Sequence, residues 1–155
     1  MLQIQTKYFG ATECQPDSVF EFPQGLPGFE GERRFVFLEQ PDKDPLLFMQ
    51  SLSNPALCFV LLPVLVAAPD YRIRLGQEEL TCLRLPSGRE PRIGTDILCA
   101  GVVCAGDEAR PSPTVNLLAP IVVNLGQRVG MQVIPMESEY SHQHPLLCAE
   151  DTASC

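Results

Sequence analysis

Histidine and cysteine gather in one place only, where His142, His144, Cys148 and Cys155 follow the spacing H-x-H-x3-C-x6-C. Imidazole and thiolate are ligands that zinc favours, but structural zinc sites draw them from short C-x-x-C and H-x3–5-H pairs. The spacing here matches no such pattern, so no metal site is expected. Thiol catalysis needs a histidine base held against the cysteine. Both histidines lie in that single segment, and folding would have to bring Cys14, Cys58 or Cys82 to them. Cys99 and Cys104 form a C-x4-C pair in an apolar stretch and read as core thiols rather than a redox couple.

Other chemistries leave even less trace. The chain has no phosphate-cradling G-x-x-x-x-G-K-[ST] and no nucleophile elbow G-x-S-x-G. Glu30, Glu32, Glu78, Glu79, Asp107, Glu108, Glu137 and Glu139 read as a solvated acidic surface rather than an acid/base pair. Arg33, Arg34, Arg84, Arg89 and Arg92 lack the interleaved aromatics of a nucleic-acid surface and are expected to be salt-bridged. Nineteen acidic residues against eleven basic ones give a net charge of -8 at pH 7. Such a surface repels phosphate backbones and attracts basic proteins. The expectation is a binding protein with no catalytic residues, no cofactor and no direct contact with nucleic acid.

Seven cysteines, odd in number and without C-x-x-C, suit reduced thiols in a cytosol. Residues 1–10 show no basic block followed by an apolar one, so no secretory signal is expected. The longest apolar stretch, 57–68, is interrupted by Pro63 and is too short for a spanning helix. A soluble, cytoplasmic protein without a membrane segment follows.

The elements that must position these residues are short. The chain has 155 residues, 45% hydrophobic and 19% charged, enough for one self-supporting domain. Fifteen prolines and eleven glycines break any pattern of helical period. Strands are predicted over 2–7, 18–22, 35–38, 46–52, 57–62, 71–75, 97–103, 115–118, 121–125 and 131–134. A short helix is predicted over 77–83, with Glu78 and Glu79 favouring its positive end. The fold class is all-β: a small antiparallel β-barrel with one or two short helices, because closure limits exposed strand edges. Residues 86–113 should carry long loops around one strand. A single domain is expected over 1–147, with 148–155 as a mobile tail.

Two segments stand out. In 22–30, Phe-Pro-Gln-Gly-Leu-Pro-Gly-Phe-Glu, Pro27 and Gly28 fit the central positions of a type II turn from Leu26 to Phe29. Phe22 and Phe29 can bury their rings on either side and stiffen it. In 114–125, Pro120 should sit at a strand start, edge or bulge. The amides of Asn116 and Asn124 should bond main-chain groups at strand ends. Each segment reads either as scaffold or as a contact surface. The candidate partner-binding residues are Phe22, Gly25, Leu26, Pro27, Gly28, Phe29, Glu30, Asn116, Pro120 and Asn124.

F-x-x-G-L-P-G-F-E, then Phe48-Met49-Gln50-Ser51, then N-L-x-A-P-I-V-x-N-L and R-x-G-x-Q-V-I, and finally Tyr140-Ser141-His142-Gln143-His144-Pro145-Leu146 occur in this order. Over 2–146 the chain resembles the FliW family of flagellar assembly factors; 86–113 and the residues after Leu147 depart from the family pattern. The resemblance implies a compact β-barrel-like fold, no catalytic activity and no cofactor. It also implies two alternative partners, flagellin and the RNA-binding translational repressor CsrA; the free protein is expected to be a monomer. Flagellin would occupy the protein until exported; the freed protein would then relieve CsrA repression of the flagellin message. A flagellin chaperone without a role in translation is the nearest alternative, and a small thiol enzyme the alternative of another class.

Overall fold

Residues 1–106, 108–109, 112–134 and 138–146 are described in the computed structural model. Alternation builds the first element: β1 (Leu2–Thr6) pairs antiparallel with β2 (Gly10–Cys14), burying Ile4 and Cys14 on one side. The hydroxyl of Thr6 locks the connection, donating to Gly10 O at 2.7 Å and accepting from Phe9 N at 2.9 Å. Strand β2 was not expected, because its sequence GATEC offers little β-branched or aromatic signal.

Next come β3 (Phe20–Glu21), β4 (Arg34–Glu39), β5 (Leu47–Ser51) and β6 (Cys58–Pro63). Two short helices follow, α1 (Val64–Ala67) and α2 (Gln77–Cys82). The chain continues through β7 (Ile97–Cys104), β8 (Thr114–Val115), β9 (Ile121–Asn124), β10 (Val129–Gln132) and β11 (His144–Pro145). Strands β7, β6, β5, β4, β3, β10 and β9 run side by side in that order, and β9 pairs back onto β7 to close a barrel. Strands β8 and β11 extend from the edge of β7.

The antiparallel all-β barrel and the helix beginning at Gln77 match expectation, with one parallel pairing among the named strands. β3 and β10 meet in parallel, Val129 opposite Glu21. A ring of seven strands cannot alternate direction all the way round, so closure requires a parallel pair.

Phe22, Phe35, Met49, Leu61, Ala100, Ile121 and Val123 fill the barrel interior. Outside, the β1–β2 hairpin covers Val36 of β4. On another face, α1, Tyr71, Ile73, Leu83 and Leu117 cover Leu62, Ile97, Cys99 and Val122. Strands β7 and β9 are therefore apolar on both faces, which explains why ILCAGVVC and IVVN read as continuous apolar runs.

The predicted strand over 71–75 is absent. Tyr71 and Ile73 are buried as its alternation required, but no ladder forms there. Tyr71 instead donates its hydroxyl to Leu117 O at 2.6 Å, and Arg72 N donates to the Tyr140 hydroxyl at 3.0 Å. Period-two burial reports which side chains face inward, not whether the backbone is paired. The strand predicted over 18–22 shrinks to two residues because Pro16 starts a 3-10 turn through Ser18. Among the described residues of 86–113, β7 is the one named strand, as expected; the tail over 148–155 lies outside the described residues.

Candidate functional site

The segment 22–30 folds upon itself. Phe22 is fully buried with its ring edge-on to Phe35 at 5.1 Å, and its carbonyl accepts Gly25 N at 2.8 Å. Gly25 has φ +64, and a Cβ there would stand 2.5 Å from the Glu30 carbonyl oxygen. Leu26 and Phe29 exchange main-chain bonds, Phe29 N to Leu26 O at 2.7 Å and Leu26 N to Phe29 O at 3.3 Å. Gly28 takes φ +84, the value the third position of the predicted turn demands. The Glu30 carboxylate accepts Gly28 N at 3.1 Å and braces the turn from behind.

Only one of the two flanking rings is buried. Leu26 fills the interior position at 3% exposure, which leaves Phe29 at the rim, 41% exposed, with its ring edge-on to Phe59 at 5.6 Å.

The second motif does main-chain work. Asn116 Oδ1 accepts Leu118 N at 3.1 Å and Ala119 N at 3.0 Å. Asn124 Nδ2 donates to Leu83 O at 2.7 Å, while its Oδ1 accepts Gly126 N at 3.0 Å. One amide thus ties the end of α2 to the β9–β10 turn. Pro120 is buried directly before β9, and its carbonyl accepts Val133 N at 2.9 Å.

The two motifs converge on a cleft of about 260 Å³ at the mouth of the barrel. Phe59, Val102 and Ile121, which face the barrel interior, line it from within. Leu26, Pro27 and Phe29 form one side; Thr114, Asn116 and His142 contribute to the rest. Of the residues singled out from sequence, Leu26, Pro27, Phe29 and Asn116 meet here. Phe22, Gly25, Gly28 and Glu30 support the turn, and Pro120 and Asn124 lie outside the lining. Sequence reasoning missed Phe59, Val102, Cys104, Gln132 and His142 as cleft residues. Gln132 and His142 do fall inside motifs quoted above, whereas Phe59 and Val102 look like any interior strand residue.

Three of the thiols are poorly suited to attack. Burial pushes Cys58 up to about 11 and Cys99 up to about 12, and it also raises Cys82. A thiol nucleophile requires the opposite displacement. Cys14, Cys58 and Cys99 are buried, Cys82 is half-buried and Cys104 is exposed; Cys148 and Cys155 lie outside the described residues. Among the described residues no group of His, Cys, Asp and Glu is arranged to hold a metal, and no helix is long and apolar enough to cross a membrane. Arg89 pairs with Asp96 at 3.1 Å, as expected of a surface arginine, while Arg33 Nε donates to the Glu30 carbonyl at 3.4 Å. Asp96 is held below its usual range by bonds from Arg92 N and the Arg89 side chain.

A family model described as FliW protein matches residues 3–146. The flagellar assembly factor FliW of Desulfitobacterium hafniense (strain Y51) is 35% identical over 145 residues, covering 94% of this chain and 91% of that one. Its counterpart in Clostridium botulinum (strain Langeland) is 30% identical, covering 96% of this chain and 99% of the relative. A crystal structure of the flagellar assembly factor FliW superposes with a TM-score of 0.80 at 34% identity, covering 93% of this chain and 96% of that one. Motifs, barrel and relatives agree over nearly the whole length, and the chain belongs to the FliW family of flagellar assembly factors.

Proposed function

We propose that this chain is a cytoplasmic partner switch that binds flagellin and CsrA in turn and antagonises CsrA on the flagellin message. It acts as one domain over 1–147, is a monomer when free, and works by binding rather than catalysis. One observation carries this reading: the motifs shared with FliW build a braced, largely apolar cleft at the mouth of the barrel. Leu26, Pro27, Phe29 and Asn116 are the proposed contacts among the residues picked out from sequence.

Electrostatics supplies a reason for antagonism. Docking a body of net charge -8 beside an RNA-binding surface makes the approach of a polyanion less favourable. Flagellin abundance then sets how much of the protein is free to do so. In a titration, the purified protein should release RNA from CsrA, and excess flagellin should restore RNA binding. Full RNA retention by CsrA at saturating protein rules the antagonist role out.

A further inference from the structure

We infer that Cys104 and Cys148 are a redox-sensitive thiol pair whose disulfide ties the C-terminal segment beside the barrel-mouth cleft. The inference stands whichever partner the chain binds. Cys104 ends β7, is exposed and lines the cleft, whereas Cys14, Cys58 and Cys99 are buried and Cys82 is half-buried. A dissolved oxidant therefore meets Cys104 first among the thiols of the described residues. Burial also pushes Cys58 up to about 11 and Cys99 up to about 12, which leaves them little thiolate at neutral pH.

Strand register sets where the second thiol departs. Cys104 stands opposite Thr114 on β8, and Thr114 stands opposite Pro145 on β11, so the three share one row across three strands. Neighbouring strands lie about 4.8 Å apart, which puts the Pro145 backbone about 10 Å from that of Cys104. Leu146 N donates to Pro113 O at 3.0 Å and holds the chain against the start of β8. Cys148 follows two residues later. Two residues span up to about 7 Å, and a disulfide needs its Cα atoms within about 7 Å of each other, so the bond lies within reach. Cys155 is nine residues from Leu146, and closure of the shorter segment is favoured. Oxidised glutathione supplies the oxidising equivalent. The Cys104 thiolate attacks one sulfur of the glutathione disulfide and expels a glutathione thiolate; the Cys148 thiolate then attacks Cys104 Sγ and expels the second. One protein disulfide forms, one glutathione disulfide becomes two thiols, and the two cysteine protons pass to the leaving thiolates. Disulfides in a cytosol are usually transient and regulatory, which suits a strap beside a cleft rather than a staple of the fold.

The test uses the reduced full-length chain, folded, in excess oxidised glutathione; remaining thiols are quenched with iodoacetamide and disulfides are mapped by peptide mass analysis. The Cys104–Cys148 link should exceed any other pairing by about fivefold or more, and dithiothreitol should return both thiols. Cys155→Ser should give the same link. In Cys148→Ser, by contrast, Cys104 should accumulate as the mixed disulfide with glutathione, because the resolving thiol is gone. A mixed disulfide that persists on Cys104 of the unsubstituted chain overturns the pairing. So does a Cys104 left unmodified, or one bonded chiefly to Cys155 or to a second chain.

Discussion

Gly130 stands so close to the ring of Phe22 that a Cβ built on it would lie 2.8 Å from Cζ and 3.0 Å from Cε2. The same atom would meet Val123 Cγ2 at 2.9 Å. Phe22 opens the first motif and Gly130 is the glycine of R-x-G-x-Q, so two distant signatures are halves of one packing contact. The missing side chain on β10 makes room for the aromatic anchor of the 22–30 loop. That anchor in turn fixes the turn beside the cleft.

Gly130→Ala should therefore destabilise the fold by about 1–3 kcal/mol, the usual cost of overpacking a tight interior. The entropic benefit of alanine in the unfolded chain, about 0.4–1 kcal/mol, offsets only part of this. Urea unfolding measures the difference. A midpoint equal to wild type would mean that the ring and β10 separate at no cost.

The two positive-φ glycines of the turn make a sharper comparison. Around Gly28 a Cβ meets nothing within 4 Å, so Gly28→Ala suffers from backbone strain alone, about 1–2 kcal/mol. At Gly25 the strain at φ +64 is joined by collision with the Glu30 backbone, and Gly25→Ala should cost more than Gly28→Ala. Thermal unfolding of the two variants gives the order. The reverse order would contradict the close approach at Gly25.

How much of this was legible in sequence follows from what each signal reports. The 26–29 turn was readable because proline and glycine constrain φ locally. The helix at Gln77 was readable from Glu78 and Glu79 at its start. Strand β2 was not, since GATEC becomes a strand only by pairing with β1. The 71–75 segment gave a burial pattern indistinguishable from a strand, because a lone extended chain hides alternate side chains just as a paired one does. The cleft was half visible: Leu26, Pro27, Phe29 and Asn116 carry turn chemistry, but Phe59 and Val102 join them through the curvature of the barrel.

Glu32 gives a pH signature. Its carboxylate accepts the hydroxyls of Ser51 at 2.5 Å and Ser53 at 2.6 Å, and these bonds hold its pKa below the ordinary carboxylate value of 4.5. A depressed folded-state pKa contributes stability that is present above the unfolded value and lost as pH falls through the folded one. Glu32→Gln should thus be less stable than wild type at about pH 7, by roughly 1 kcal/mol or less for so solvent-screened a group. The gap should close in acid. Urea midpoints across the acid range test this, and a gap that persists below the folded pKa would show that packing, not charge, is responsible.

Gln50 is wholly buried and spans three parts of the chain. Its Oε1 accepts Lys7 N at 3.0 Å, while Nε2 faces the carbonyls of Ser51 at 3.0 Å and Leu57 at 3.1 Å. Gln50→Leu fills the space but strands these groups, at a cost of about 1–3 kcal/mol for an unsatisfied buried polar group. Gln50→Glu should do worse at neutral pH, where a carboxylate would face carbonyl oxygens. It should recover in acid, once a proton restores a donor. Unfolding at both pH values separates the two, and a Gln50→Glu variant indifferent to pH would sink this account of the 52–57 loop.

Salt should weaken the proposed encounter with CsrA. Screening shortens electrostatic reach from about 10 Å at 0.1 M to about 3 Å at 1 M ionic strength. Attraction between a chain of net charge -8 and a basic RNA-binding surface therefore fades with added salt, and association with CsrA should slow. Association rates by surface plasmon resonance over that range check this. An association rate with CsrA that does not change with salt would mean that the net charge of -8 does not steer the proposed encounter, and the electrostatic account of antagonism would be lost.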